Sequence, residues 1–296
     1  MRSTPEPASA KSASSPSMES KEVMGGAEAM GSAAVQGPLW SRAAHDWAEL
    51  QEPTMLPLWE ALLDAAAVGP GTHLLDAGCG AGGASVLAAR RGARVNGLDA
   101  APALLAIARA RVRDGDFSLG DVEALPYASG TFDAVIAADV LPYASDPATA
   151  VRELRRVCAP HGRVAIALWG TQDECEQRVI VAAMRALLPR LLDAEPFALS
   201  APGVLDALVA QAGLRVHRRG TVACAAEYPD AEILWQAQAS AGPLQAAMRV
   251  VGAQPLKAAV LCAVAPYQTR TGGVRLRNHF RYVVAAPDIG GSPTRG

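Results

Sequence analysis

The feature that most constrains this chain is a short apolar run ending in an acid and then a cluster of glycines. It reads Leu74-Leu75-Asp76-Ala77-Gly78-Cys79-Gly80-Ala81-Gly82-Gly83. A strand that stops in such a turn and re-enters as the Ala-rich stretch 84–91 opens a strand–turn–helix unit. The unit recurs. Apolar strands are predicted at 72–77, 94–98, 117–119, 132–138 and 163–169, with helices at 84–91, 102–113 and 148–157 between them. Strands separated by helices imply right-handed crossovers and a doubly wound, mostly parallel, Rossmann-like α/β sheet. The later half adds helices at 175–192, 202–212 and 231–264, the last interrupted by Gly242-Pro243 and Pro255. Strands are expected at 214–223 and 276–285, and the two long helical insertions read as a cap.

Residues 1–37 are rich in Ser, Ala, Pro and Gly and show no hydrophobic period, so they are expected to be a disordered tail. From there Trp40, Ala43, Trp47 and Leu50 recur at helical spacing, and a second helix covers 56–67. The expected organisation is therefore one domain over 38–296. Its core is 72–170 with 200–225 and 272–286, and its cap comes from 38–67, 171–198 and 228–270. The 27 basic and 29 acidic residues among 296 leave a net charge of −2, which argues against a nucleic-acid partner. Apolar runs fall short of the roughly 20 residues a membrane span needs, and no secretory signal is evident, so no membrane partner is expected. Five scattered cysteines form neither a zinc pattern nor a disulfide framework; no metal is expected, and a reducing cytoplasm is the simplest location.

Gly78, Gly80 and Gly83 satisfy a G-x-G-x-x-G spacing, so a dinucleotide must be weighed. Asp76 speaks against it, because a carboxylate beside the turn repels a pyrophosphate and attracts an ammonium. S-adenosylmethionine carries an amino group and a sulfonium and has no phosphate. Asp99, after the second strand, sits where a ribose diol would donate two hydrogen bonds. Asp121, past the third strand, is placed to accept from an adenine amino group, with Val122 against the ring.

These segments, together with Gly120-Asp121-Val122-Glu123-Ala124-Leu125-Pro126-Tyr127 and Thr131-Phe132-Asp133-Ala134-Val135, resemble the class I S-adenosylmethionine-dependent methyltransferases. The nearest branch in character is the ubiquinone/menaquinone-biosynthesis type, which acts on small molecules. The resemblance covers about 39–169. It implies that Asp76, Gly78 and Gly80 cradle the methionine moiety and that Asp99, with Ala100 beside it, holds the ribose. It further implies that Asp121 and Val122 flank the adenine and that Ala138 lines the methionine side. The family often has Leu-His-His after the fourth strand, where this chain has Leu141-Pro142-Tyr143, so no catalytic base is carried over.

Methyl transfer from a sulfonium needs alignment and exclusion of water; a base is needed only when the nucleophile must lose a proton. For the acceptor pocket the candidates are Trp47, Tyr143 and Trp169 as aromatic walls, with His45 and His279 beside them; His73, His161 and His217 read as structural or solvated. The expected activity is O- or C-methylation of a small, partly apolar acceptor, such as a natural-product intermediate. Two other readings stay open from sequence alone. One is a cofactor-binding protein that transfers no methyl group; the other is an NAD(P)-dependent oxidoreductase.

Overall fold

Seven strands form one sheet in the order β3-β2-β1-β4-β5-β7-β6. They are β1 (His73–Ala77), β2 (Arg94–Asp99), β3 (Asp116–Leu119), β4 (Phe132–Ala138), β5 (Cys158–Trp169), β6 (Leu214–Tyr228) and β7 (Val274–Pro287). This computed structural model describes residue 1 and residues 32–188 and 197–288. β1 to β5 are parallel, and β7 runs antiparallel to both β5 and β6. The mostly parallel, doubly wound sheet is the one the sequence predicts. Strand order reverses between β1 and β4, and a sheet of this kind opens its ligand crevice at that point.

The helices are α1 (Ala33–Trp40), α2 (Ala44–Asp46), α3 (Leu56–Ala65), α4 (Gly83–Arg90), α5 (Pro102–Arg111), α6 (Pro147–Val157), α7 (Arg178–Leu187), α8 (Val204–Gln211), α9 (Ala231–Ala239), α10 (Gly242–Val251) and α11 (Ala253–Val264). One sheet face is covered by α3, α4 and α5, through Leu58, Leu62, Ala84, Ala88 and Leu105 against Leu74, Ile136 and Phe280. The other is covered by α6 and α8, through Val151, Leu154 and Val209 against Leu75, Val135 and Ile166. Burial on both faces is why these strands read as continuous apolar runs rather than alternating ones.

β6 and β7 outrun β5. Pairing of β5 with β7 ends at Trp169 opposite Phe280, whereas β6 and β7 stay paired to Tyr228 opposite Val274. The projecting ribbon carries its own core, in which Ile180 and Met184 of α7, Leu234 of α9, Leu244 of α10 and Leu256 and Val260 of α11 meet Tyr228 and Leu276. Here lies the helical cap. Among the described residues no helix is long and apolar enough to cross a membrane.

Several boundaries differ from the sequence reading. Residues 2–31 of the expected tail lie outside the described residues, but Ser32 is buried and α1 begins at Ala33, so 32–37, expected to be disordered, are part of the folded domain. The expected helix over Trp40–Leu50 is broken: Ala43 leaves helical geometry, and Trp47–Gln51 form a π turn. α3, expected in the cap, packs on the sheet. Pro160-His161-Gly162 does not precede β5 but bulges within it, where the register with β4 shifts. Pro255 does not interrupt a helix. It sits in the first turn of α11, where the missing N–H costs no bond, and the break falls at Gly252. β6 runs on past Ala223 to Tyr228, because its far end pairs only with β7 under the cap. The end of the helix expected over 175–192 lies outside the described residues beyond 188.

A buried polar network ties the cap to the N-terminal segment. Tyr228 Oη donates to Gln51 Oε1 (2.7 Å), Gln238 Nε2 donates to Tyr228 Oη (3.2 Å), and Gln177 Nε2 donates to Gln238 Oε1 (2.6 Å). Removing one hydroxyl leaves buried amide groups under-bonded, so Tyr228→Phe is expected to cost about 1–2 kcal/mol in urea unfolding. Unchanged stability would mean that the network carries no weight.

Candidate active site

The strands β1, β2, β3 and β4 deliver the residues at their ends to one cleft at the carboxyl edge of the sheet. The cleft encloses about 950 Å³, its open mouth included, and is lined by every residue expected to hold a cofactor: Asp76, Gly78, Gly80, Asp99, Ala100, Asp121, Val122 and Ala138. The glycine turn is backbone-limited. Gly78 has φ +77°, and a Cβ there would lie 2.5 Å from Val140 Cγ2; at Gly80, with φ +55°, a Cβ would meet Glu52 Oε1 at 3.0 Å. A side chain at either place would push the turn away from β4 or from Glu52.

Asp76 is buried at the end of β1 and accepts from Ser85 Oγ of α4 (2.7 Å). Burial pushes its carboxyl up to about 7; the Ser85 hydrogen bond works against the shift and the nearby Asp99 charge adds to it. Asp99 accepts from the Gly80 N–H through Oδ2 and from the Ala101 N–H through Oδ1, each at 2.8 Å. Burial nevertheless holds its carboxyl above the ordinary range. Asp121 is bonded from an unexpected side. Its Oδ2 accepts from the Ala33 N–H (2.8 Å) and its Oδ1 from Ser32 Oγ (3.2 Å), so it caps α1 and draws that helix across the end of β3.

Two further acids in the cleft are absent from the sequence reading. Glu52 accepts from the Ala81 N–H (2.8 Å) and from Arg111 Nη1 (2.6 Å), clamping the N-terminal segment to the glycine turn and to α5. Burial pushes its carboxyl to about 7 despite Arg111. No hydrophobic period or strand end marks Glu52, so the sequence holds no signal for it. Asp139 is different. It follows β4 directly, in the position that drew attention to Asp76, Asp99 and Asp121, and the same rule finds it.

Of the acceptor candidates, Trp47 and Tyr143 line the cleft. Trp40 joins them edge-on, with ring centroids 4.7 Å from Trp47 and 5.2 Å from Tyr143. Trp59 of α3 closes the floor against Gly83. The other three lie outside it. Trp169 packs on Phe280 at 4.4 Å and borders a second, shallower cleft against α8. His45 is exposed on α2, turned outward because Ala44 and Ala48 take the inward positions. His279 Nδ1 bonds the Glu174 carbonyl (3.2 Å) at the root of the cap.

Residues 75–166 match a family model described as a methyltransferase domain, in keeping with the family that the sequence resembles. An uncharacterized protein of Mycobacterium tuberculosis is 38% identical over 141 residues, 46% of this chain and 51% of that protein. The malonyl-[acyl-carrier protein] O-methyltransferase of Serratia marcescens is 41% identical over 103 residues, 35% of this chain and 40% of that enzyme. The chain spans about half the length of the curated relatives it matches, or less. The crystal structure of the [4+2]-cyclase SpnF superposes with a TM-score of 0.54 at 22% identity, over 86% of this chain and 93% of that one, and shares its fold.

The Asp76 shift carries a stability signature. An unfolded carboxyl ionises near 3.8 and the folded one near 7, so between these values the folded state holds the extra proton. Its contribution is complete at low pH and is lost as pH rises through about 7. Asp76→Asn, which cannot ionise, should flatten the fall in unfolding free energy over that window. Urea melts across the pH range test it; parallel curves for the two proteins would sink the assignment.

Proposed function

We propose that this chain transfers a methyl group from S-adenosylmethionine to a small, partly apolar acceptor at oxygen or carbon. One observation supports the reading above others. The cleft is lined by five acids, Glu52, Asp76, Asp99, Asp121 and Asp139, and among the described residues lining it there is no lysine, arginine or histidine. Phosphates would be repelled there, which disfavours a dinucleotide, whereas a ligand with an ammonium and a sulfonium is complementary. The residues fit that cofactor at two further places. Asp99 keeps lone pairs free beyond its two backbone bonds for a ribose diol, and the bare turn at Gly78 and Gly80 admits close approach.

When bound, S-adenosylmethionine supplies an activated methyl group on a positively charged sulfur. The chain's own work is to bind, orient and keep the site dry. Asp76 would face the amino end of the ligand, Asp99 would hold the sugar, and Val122 would pack on the ring. Trp40, Trp47 and Tyr143 roof the cleft with aromatic faces that suit a cation and exclude water. The helical cap packed on the β6–β7 ribbon beyond Trp169 supports the reading of a small acceptor.

Asp99→Ala removes both acceptors and is expected to weaken S-adenosylhomocysteine binding by about 2 kcal/mol, the scale of charge-assisted hydrogen bonds. Calorimetry showing an unaltered dissociation constant in a folded variant would take Asp99 out of the site. The roof makes a separate prediction. Hydrogen exchange over 40–51 should slow when S-adenosylhomocysteine binds, and Trp47→Ala should lower turnover more than stability. Identical exchange with and without ligand would reduce the segment to ordinary packing.

A further inference from the structure

Asp139 is built unlike the other acids of the cleft. Its backbone has φ +56°, a left-handed conformation that a non-glycine side chain rarely adopts. The conformation is held because the Asp139 N–H donates to the Ala167 carbonyl of β5 (2.8 Å), while the next residue, Val140, packs against Gly78. Asp139 lines the cofactor cleft, and its Oδ1 is wholly buried with no hydrogen-bond partner among the described residues. Buried polar oxygens are almost always bonded, and exceptions gather at functional sites.

The surroundings say what such an oxygen can meet. Tyr143 stands beside it from the turn after β4, Trp169 from β5, and Cys175 from the segment that enters the cap. Asp139 therefore lies on the wall of the cofactor cleft, on the side of the segment that enters the cap. None of the groups acting on Asp139 is a cation, and the titratable ones, Tyr143 and Cys175, are both pushed up by burial and stay neutral. Walls of Tyr143 and Trp47 suit a flat apolar ring.

We propose that Asp139 receives the proton of the acceptor, and that the acceptor is a hydroxylated, largely apolar molecule of the phenol or enol class. The inference rests on the methyltransferase reading above. In the step, the acceptor O–H bond breaks and a bond from hydrogen to Asp139 Oδ1 forms. The O–H electron pair stays on the acceptor oxygen, which becomes the nucleophile for the methyl group. Burial raises the Asp139 carboxyl to about 8, with Trp169 pulling it back, so its affinity for a proton is far above that of an ordinary aspartate.

The test uses the full-length chain saturated with S-adenosylhomocysteine, with para-ethylphenol and its methyl ether as probes in NMR titrations. At about pH 9, where Asp139 is ionised, Asp139→Asn should bind para-ethylphenol roughly tenfold more weakly than the parent. At about pH 6 Asp139 is protonated and neutral like asparagine, so the difference should shrink to within about twofold. The methyl ether, which has no proton to give, should not distinguish the proteins at either pH, and S-adenosylhomocysteine affinity should stay within about threefold. If Asp139→Asn fails to fold, the parent alone decides, since its preference for the phenol over the ether must rise between the two pH values. Failure of the parent to bind the phenol, indifference to the substitution at high pH, or loss of S-adenosylhomocysteine affinity together with the phenol's would overturn the proposal. Failure of S-adenosylhomocysteine to bind the parent would instead overturn the methyltransferase reading.

Discussion

Removal of several carboxylates from water at one sheet edge is the constraint around which the rest of this structure is arranged. Asp76, Asp99, Glu52 and Asp139 share a cleft, and burial raises the proton affinity of each. Isolated charges in such a place are expensive, and the neighbourhood is organised to offset the cost. Ser85 serves Asp76, the Gly80 and Ala101 amides serve Asp99, and Arg111 with the Ala81 amide serves Glu52. The glycine turn is thus more than a place for close approach. Its amides are the donors that keep two of these acids in position.

The same arrangement joins the two halves of the molecule. Gln51 and Glu52 are adjacent in sequence at the end of a π turn, and they reach in different directions. Gln51 accepts from Tyr228 under the cap, while Glu52 accepts from Ala81 in the glycine turn. π turns are rare and gather at functional sites, where they redirect side chains that an ordinary helix would align. Here the extra residue in the turn allows neighbouring side chains to serve separate partners. One peptide unit therefore links the polar network of the cap to the glycine turn.

The parallel core was legible in the sequence because its strands are buried on both faces and its helices are separated by glycine turns; β4 spans Phe132–Ala138, as the apolar run predicts. The acids Asp76, Asp99 and Asp121 were legible because a strand end is a place that sequence marks. Asp139 is equally marked by its place directly after β4, two residues before the Leu141-Pro142-Tyr143 departure. Glu52, Trp59 and Ser32 were not legible. Each reaches the cleft through long-range packing, Glu52 by way of Arg111 on α5 and Ser32 by way of Asp121, and no local period encodes such a contact. His45 and Trp169 mislead for the converse reason: their chemistry suits a pocket, but Ala44 and Phe280 decide which way their elements face.

The projecting ribbon of β6 and β7 has a consequence for how the molecule is divided. The cap's apolar core rests on Tyr228, Val274 and Leu276, beyond the last β5 partner, Trp169 opposite Phe280. The segment that matches the methyltransferase-domain family ends at residue 166, just short of that boundary. The apolar packing of the cap is therefore distinct from the β1–β4 register that presents Asp76, Asp99 and Asp139. The seam at Trp169 and Phe280 divides the molecule into the part that holds the family match and a cap with an apolar core of its own.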